Sequence, residues 1–411
     1  MSWNGGAQLR WTADLPQDYE TQREWRLWSP PHKRSLQVEM HGLTGSGETH
    51  ATTEGQGWSN GLRFGSADVS LQRLVAHWVN LPDLGPARPV GPPVEDPGGF
   101  WRRATSWRAR IRDWDVRIDS RADLDEVLRV CRRDRTFALT HVMEVHRGDG
   151  STFTGDQAHQ LLEVLQLAVS FALGRSCCPT APVGYAPDGR AAWSEWGPSR
   201  CDHAGLGAGR WWYERRGQDL VEMLEGFLRH WDDDSGRQTL KFTATSAVVA
   251  GEQGFVEQRL VTAASALEHL CWVTDVREGG VSETSYRNVP AHDRLRSLLT
   301  ALRVPVIIDV ENLPTLAAHA AEQDGCDGPR AITQIRNELV HPKNTRSLYD
   351  RPGLLSEAAR LAARYLDLAI LWRIGFTGEV MNRTKVRGWV GETELVPWAN
   401  ETGQGRSSEA T

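Results

Sequence analysis

The chain has 411 residues, enough for two or three domains with ordinary cores, and a formal net charge of −6 at neutral pH. Hydrophobic residues make up 40% and charged residues 24%, which excludes a disordered or fibrous chain. The acidic balance excludes a globally basic nucleic-acid binder and leaves room only for local basic patches.

The opening residues, MSWNGGAQLR, lack the apolar core of a secretory signal. Residues 1–150 read as a β-rich N-terminal domain: Ser35–Met40, Leu71–Trp78 and Thr136–Glu144 are separated by Gly- and Pro-laden turns. Residues 85–99, GPARPVGPPVEDPGG, are expected to form a loop or internal linker, because Pro removes backbone donors and Gly adds chain entropy. Half of the eighteen Trp fall in the first 114 residues, as a Trp-filled β core or a recognition surface would require. In residues 101–117, WRRATSWRARIRDWDVR, cations alternate with rings. Trp107, Ala109 and Ile111 would face inward, with Arg108, Arg110 and Arg112 in solvent or against RNA phosphates.

Helical periodicity begins near residue 156: Leu161, Leu162, Leu165, Ala168, Val169 and Ala172 share one face, and Gly174 suits the helix end. Residues 151–235 are thus expected to be a helical connecting region. The pattern continues through 240–273, 291–303, 313–323, 329–341 and 354–375, giving an all-helical domain over 236–390 and an α+β chain overall. The most apolar stretches, 161–173 and 361–376, carry Glu163, Gln166, Arg364, Asp367 and Arg373, so neither approaches a membrane span. The expected location is the cytoplasm. The C-terminal tail covers 391–411 and, polar and without an apolar anchor, is expected to be disordered from residue 399. The six Cys read as reduced thiols. Cys177, Cys178, Cys201 and His203 match no standard zinc spacing, so no metal and no other cofactor is expected.

Residues 327–344, DGPRAITQIRNELVHPKN, carry the chemistry. Asp327 can cap a helix whose first turn accepts Pro329. Ile332, Ile335 and Leu339 share an inward face, while Asn337 and His341, four apart, share another. Pro342 ends the helix at His341. A His can exchange a proton near neutral pH, and an Arg presents a permanent planar cation to a phosphodiester. With Asn337 to orient them, Arg336 and His341 are the parts for metal-free RNA cleavage: the 2′-OH proton is removed, its oxygen attacks phosphorus, and a cation meets the developing charge. Five steps along a helix turn about 140°, so these two side chains do not project in parallel.

Arg336-Asn337-Glu338-Leu339-Val340-His341 resembles the signature of the HEPN superfamily. An Arg followed by a His after four to six residues also occurs at Arg26/His32, Arg34/His41, Arg135/His141 and Arg287/His292, but Pro290 interrupts the last of these. Arg336/His341 alone sits on a well-formed helix between two long ones. Residues 257–272, with Glu268, resemble the family's long first helix, and 354–383 its last helix and Gly-aromatic-x-Gly exit, as in anti-phage and abortive-infection HEPN proteins. HWVNLPDL, residues 77–84, resembles the β-rich domain of that group. The resemblance implies an endoribonuclease acting on RNA; Glu268, a partner of the site or an ordinary helix residue, and Lys343, beside His341, are its candidate supporting residues. It also implies a homodimer that brings two such segments to one cleft, and a phage-derived trigger. The alternative is a non-catalytic HEPN scaffold binding RNA, a nucleotide or a protein.

Overall fold

The computed structural model describes residues 2–3, 7–12, 33–40, 43–51, 56–59, 61–85, 88–95, 101–197, 200–204, 210–251, 254–341, 346–385 and 392–399. The chain is α+β, with an antiparallel sheet in its N-terminal half and helices in its C-terminal half. It divides into two compact units, Met1–Gln166 with Cys177–Gly205, and Leu167–Ser176 with Leu206–Thr411.

The first unit runs through β1 (Ser2–Trp3), β2 (Ala7–Thr12), β3 (Lys33–Met40), β4 (Leu43–Ala51), β5 (Gln56–Ser59), β6 (Leu62–Phe64), β7 (Ser70–Leu71), β8 (Arg73–Val79), β9 (Arg88–Glu95), β10 (Trp101–Ile111) and β11 (Trp114–Ser120). It continues with α1 (Leu124–Asp134), β12 (Leu139–Arg147), β13 (Phe153–Thr154), the start of α2 (Gly155–Leu173), whose residues from Leu167 on belong to the second unit, β14 (Pro179–Tyr185) and β15 (Ala191–Trp196). Thirteen of these strands form one sheet in the order β1-β2-β5-β4-β6-β15-β14-β8-β12-β11-β10-β9, with β3 beside β4. Alternation sets its core: Leu74, Ala76 and Trp78 of β8 and Met143 and Val145 of β12 are fully buried on paired central strands. Just past β8, the buried Asn80 adopts φ 55°, a conformation that Asn tolerates. Its side chain accepts from the Ala138 N–H at 3.0 Å and donates to the Thr136 and Asp202 carbonyls at 3.3 and 3.2 Å, fastening three segments.

The sheet corrects two expectations. Residues 88–95 are a strand, not a linker, pairing with β10 at the sheet's end. A Pro-rich segment is tolerated there because one side of an edge strand needs no donors. Residues 151–235 are not purely helical: β14 and β15 lie inside the sheet, β14 pairing with β8. Their short runs between Pro and Gly carried too little periodicity to be read as strands. The β-rich span also contains an amphipathic helix, α1, with Leu124, Leu128 and Cys131 buried at helical spacing.

The second unit comprises α3 (Gly217–Trp231), α4 (Asp234–Gly251), α5 (Val256–Trp272), a π-helical segment (Val273–Glu278), α6 (Glu283–Asn288) and α7 (Ala291–Ala301). Then follow α8 (Pro314–Glu322), α9 (Gly328–Val340), α10 (Arg346–Tyr349), α11 (Leu354–Arg373), and the paired strands β16 (Glu379–Met381) and β17 (Thr393–Leu395). The expected single helix over 240–273 is two, α4 and α5, with Gly251 closing α4 and Gly254 in the break. The helices expected near 291–303, 313–323, 329–341 and 354–375 are present as α7, α8, α9 and α11. No helix among the described residues is long and apolar enough to cross a membrane.

α11 is the axis of this unit, with fifteen of its twenty residues buried. Small residues, Ala358, Ala359, Ala362 and Ala363 on α11 and Ala263, Ala264 and Ala266 on α5, let neighbouring backbones approach closely. Beyond α11, Gly375 takes φ 75° and Phe376 is buried against Trp211, ring centroids 5.4 Å apart. A Cβ on Gly378 would stand 2.5 Å from Asp219 Oδ1. The Gly-Phe-Thr-Gly sequence is thus required by a left-handed helix end and a close approach.

A buried ion pair crosses this core. Arg383 Nε lies 2.5 Å from Asp367 Oδ2, and both side chains are 4% exposed. Burial pushes the Asp367 carboxyl up to about 7, with Arg383 and Arg364 pulling against it. Removing one partner of such a pair leaves the other charge buried. Asp367→Ala is therefore expected to lower unfolding free energy by about 3–5 kcal/mol, and Asp367→Leu with Arg383→Met to recover most of it. Urea melts of the two variants check this; equal losses in both would show that the pair's own geometry matters more than the stranded charge.

Candidate functional site

α9 starts as its sequence dictates. The Asp327 side chain accepts from the Arg330 N–H at 3.0 Å, and Pro329 occupies the first turn. Arg296 of α7 grips the same carboxylate, Nε at 2.5 Å and Nη2 at 3.1 Å. Burial works to raise the Asp327 carboxyl, and the Arg296 guanidinium with the Arg330 N–H outweigh it, leaving it below 3.8. Gly328 is required here: an added Cβ would meet Tyr365 Oη of α11 at 2.4 Å. Ile332 and Ile335 are buried, while Leu339, expected inward, is only half-buried near the helix end. α9 stops at His341, whose backbone takes φ −126° and whose N–H donates to the Asn337 carbonyl at 2.8 Å.

Asn337 and His341 come together. They line a groove of about 500 Å³ with Gln334, Ile335 and Glu338 of α9, and with His319 and Gln323 from α8 and its end. Both Asn337 and His341 are exposed. Arg336 is not part of the groove wall, in keeping with its angular offset on the helix. Its guanidinium turns toward α5, Nη2 lying 3.7 Å from Glu268 Oε2, and Nη1 donates to Asn337 Oδ1 at 3.0 Å. Glu268 is thus the counter-charge of Arg336, and Asn337 links that cation to the groove. Lys343 and Pro342 lie outside the described residues.

His319 is the residue that the sequence reading missed. Burial, then the charge of Arg351, pull its pKa below 6.5 against Glu322 and Glu338, so it is neutral near pH 7. Its only sequence signal was a His beside the buried Ala320 on the helix preceding α9. Two imidazoles and a carboxylate can give and take protons there, and three amides can hydrogen-bond a bound polar group. Arg351, ion-paired with Glu322, is a second cation close to His319.

Among the described residues, the other Arg-His spacings form no such site. Arg287 lies in the last turn of α6 and His292 on α7, beyond the break at Pro290. His141 is buried in β12, and burial pulls its pKa down to about 3. Arg26, His32 and His41 lie outside the described residues.

In the first unit, Trp107 and Ile111 are buried and Arg108 and Arg110 exposed, as alternation requires. Arg112 leaves the strand for the β10–β11 turn, at φ 53°. Arg108 and Arg110 border a concavity of about 440 Å³ with Asp115, Arg117, Glu144 and His146. Its charges are largely matched, Arg110 to Asp115 at 3.1 Å and Arg117 to Asp119 at 2.7 Å. The Cys177 and Cys201 thiols donate to one carbonyl, that of Val79, at 3.5 and 3.3 Å. Among the described residues, no three or more His, Cys, Asp or Glu gather as metal ligands.

Two family models match consecutive parts of the chain. Residues 66–205 match the YopA central domain. Residues 234–395 match the YopA C-terminal domain. The first match ends with the first structural unit at Gly205, and the second begins with α4 at Asp234. The SPbeta prophage-derived uncharacterized protein YopA of Bacillus subtilis (strain 168) is 25% identical over 296 residues, 71% of this chain and 65% of that protein. The alignment thus spans just under two thirds of that relative's length. No solved structure matches the chain.

Asp327→Ala is expected to cost about 1–2 kcal/mol through loss of the α9 cap. Because the folded pKa lies below 3.8, this contribution is present above that pH and fades as pH falls through the lowered value. Urea melts of both proteins at pH 7 and near pH 3 check the sign; a gap that stays constant or widens at low pH contradicts it.

Proposed function

We propose that the C-terminal helical domain is a HEPN-type, metal-independent endoribonuclease whose site is Arg336, Asn337 and His341. The reading is supported chiefly by the groove that Asn337 and His341 share with His319 and Glu338 at the end of α9. His341 transfers the proton of the attacking 2′-OH or of the leaving oxygen, Asn337 orients the phosphate, and Arg336 offsets the developing charge. Because Arg336 reaches Glu268 and not the groove, the site works through a homodimer in which a phosphate meets His341 of one protomer and Arg336 of the other. His319 joins as a neutral imidazole able to accept a proton. No cofactor enters the scheme. The prophage origin of the Bacillus subtilis relative fits a part in the contest between phage and host, with the N-terminal domain sensing a phage-derived trigger.

A second reading has its own support. The guanidinium of Arg336 is engaged by Glu268 and Asn337, as it would be in a HEPN scaffold that binds RNA, a nucleotide or a protein without cutting.

Purified protein is expected to cleave cellular RNA in EDTA to 2′,3′-cyclic phosphate ends. Arg336→Ala and His341→Ala are each expected to lower the rate by at least about 100-fold. Equal cutting by all three proteins places the activity elsewhere. Binding of RNA without cleavage by any of them favours the scaffold. If His319 is the base, the acidic limb of the pH–rate profile lies below 6.5, the side to which burial and Arg351 move it.

A further inference from the structure

The second unit carries an aromatic surface that the groove does not use. Phe242 of α4 is 45% exposed although its helix neighbours Thr243 and Ala244 are buried. Its ring meets His269 of α5 edge-to-face, centroids 4.9 Å apart, and His269 lies near-parallel to Trp272 at 6.4 Å. The Arg277 guanidinium sits over the Trp272 ring, 5.4 Å from its centre, and is exposed. Lys241, next to Phe242 and also exposed, holds its ammonium 5.1 Å from the Trp231 ring. Arg277 comes from the π-helical segment Val273–Glu278, a form of helix that is rare and found often at functional sites.

We propose that Phe242, His269 and Trp272, flanked by Lys241 and Arg277, are a stacking platform for unpaired RNA. Rings in a row on a surface bordered by cations are what successive bases and their phosphates require. A folded protein gains nothing from leaving a Phe of this size half in water, whereas a base covering it removes apolar surface from solvent. Arg277 shows that one face of Trp272 is open to a flat cation. A base taking that face displaces the guanidinium, which is then free to meet a phosphate oxygen. Of the acidic groups on the same segment, Glu278 is paired with Arg373, and burial raises the Asp275 carboxyl against the charge of Arg294. His269 is suited to stack because burial, with Arg277 and Arg373, lowers its pKa and favours the uncharged ring. The platform adjoins the proposed cleavage site along the chain, since Glu268, which faces Arg336, immediately precedes His269. Only the choice of RNA over DNA rests on the nuclease reading.

The test uses the full-length protein and a short, unstructured 2′-O-methyl RNA oligomer, which cannot be cleaved by 2′-OH attack, so binding is read apart from catalysis. Fluorescence anisotropy in EDTA is expected to show Phe242→Ala and Trp272→Ala each weakening binding by about tenfold or more. Phe242→Leu, which keeps the apolar contact and loses the ring, is expected to fall with the alanine variant. Lys241→Gln and Arg277→Gln are each expected to reduce the salt slope by about 0.7. A 2-aminopurine in the oligomer is expected to report stacking with wild type and to lose that signal with Trp272→Ala. Unchanged affinity in the ring variants, or equal affinity for a duplex of the same sequence, overturns the platform. Tighter binding of the matching DNA overturns the assignment to RNA. Wild type that binds the oligomer and leaves unmodified RNA uncut sinks the nuclease reading alone.

Discussion

A helix buried along most of its length has to settle its own polar groups inside the protein, and α11 does this in ways that place its neighbours. Glu357, 6% exposed, accepts from the Leu316 N–H at 2.8 Å and so fixes the first turn of α8. Tyr365 donates to the Pro305 carbonyl at 3.2 Å and stands where any side chain on Gly328 would fall, which seats the start of α9. Asp367 ties the segment after the helix through Arg383. Both helices that wall the groove therefore take their positions from one buried element. Burying a carboxylate is costly unless it is paired or hydrogen-bonded, so these contacts are constraints on the fold and not decoration.

The groove itself joins two kinds of end. α9 arrives with its C-terminus, where four carbonyls lack helical partners, and the chain turns away at His341. α8 presents its last turn, with His319 and then Gln323. Helix ends are polar by construction, so a concavity between two of them collects hydrogen-bonding groups. The cation at Arg336 lies around the helix from it, balanced by Glu268. This separation is why the proposed chemistry calls on a second copy of the chain.

The helical half was legible in the sequence because long amphipathic segments with clear caps announce themselves. Asp327, Pro329 and the break before Pro342 fixed α9 to within a residue or two, and Gly174 marked the end of α2. The β half was read less well. β14 and β15 are short, flanked by Pro and Gly, and gain their strand character from β8 and β6, which are more than a hundred residues earlier. Of the candidate site, Asn337 and His341 followed from helical spacing. His319 and the aim of Arg336 at Glu268 did not, because both depend on packing between helices, which no local period encodes.

The edge strand β9 has a consequence for the protein's life among other proteins. Pro89, Pro92 and Pro93 leave three of its eight positions without an amide proton. A stray strand arriving at that border of the sheet would find a ladder with missing rungs, and could not extend it in register. The same residues that disguise the segment as a linker also keep that flank of a large open sheet from becoming a template for aggregation.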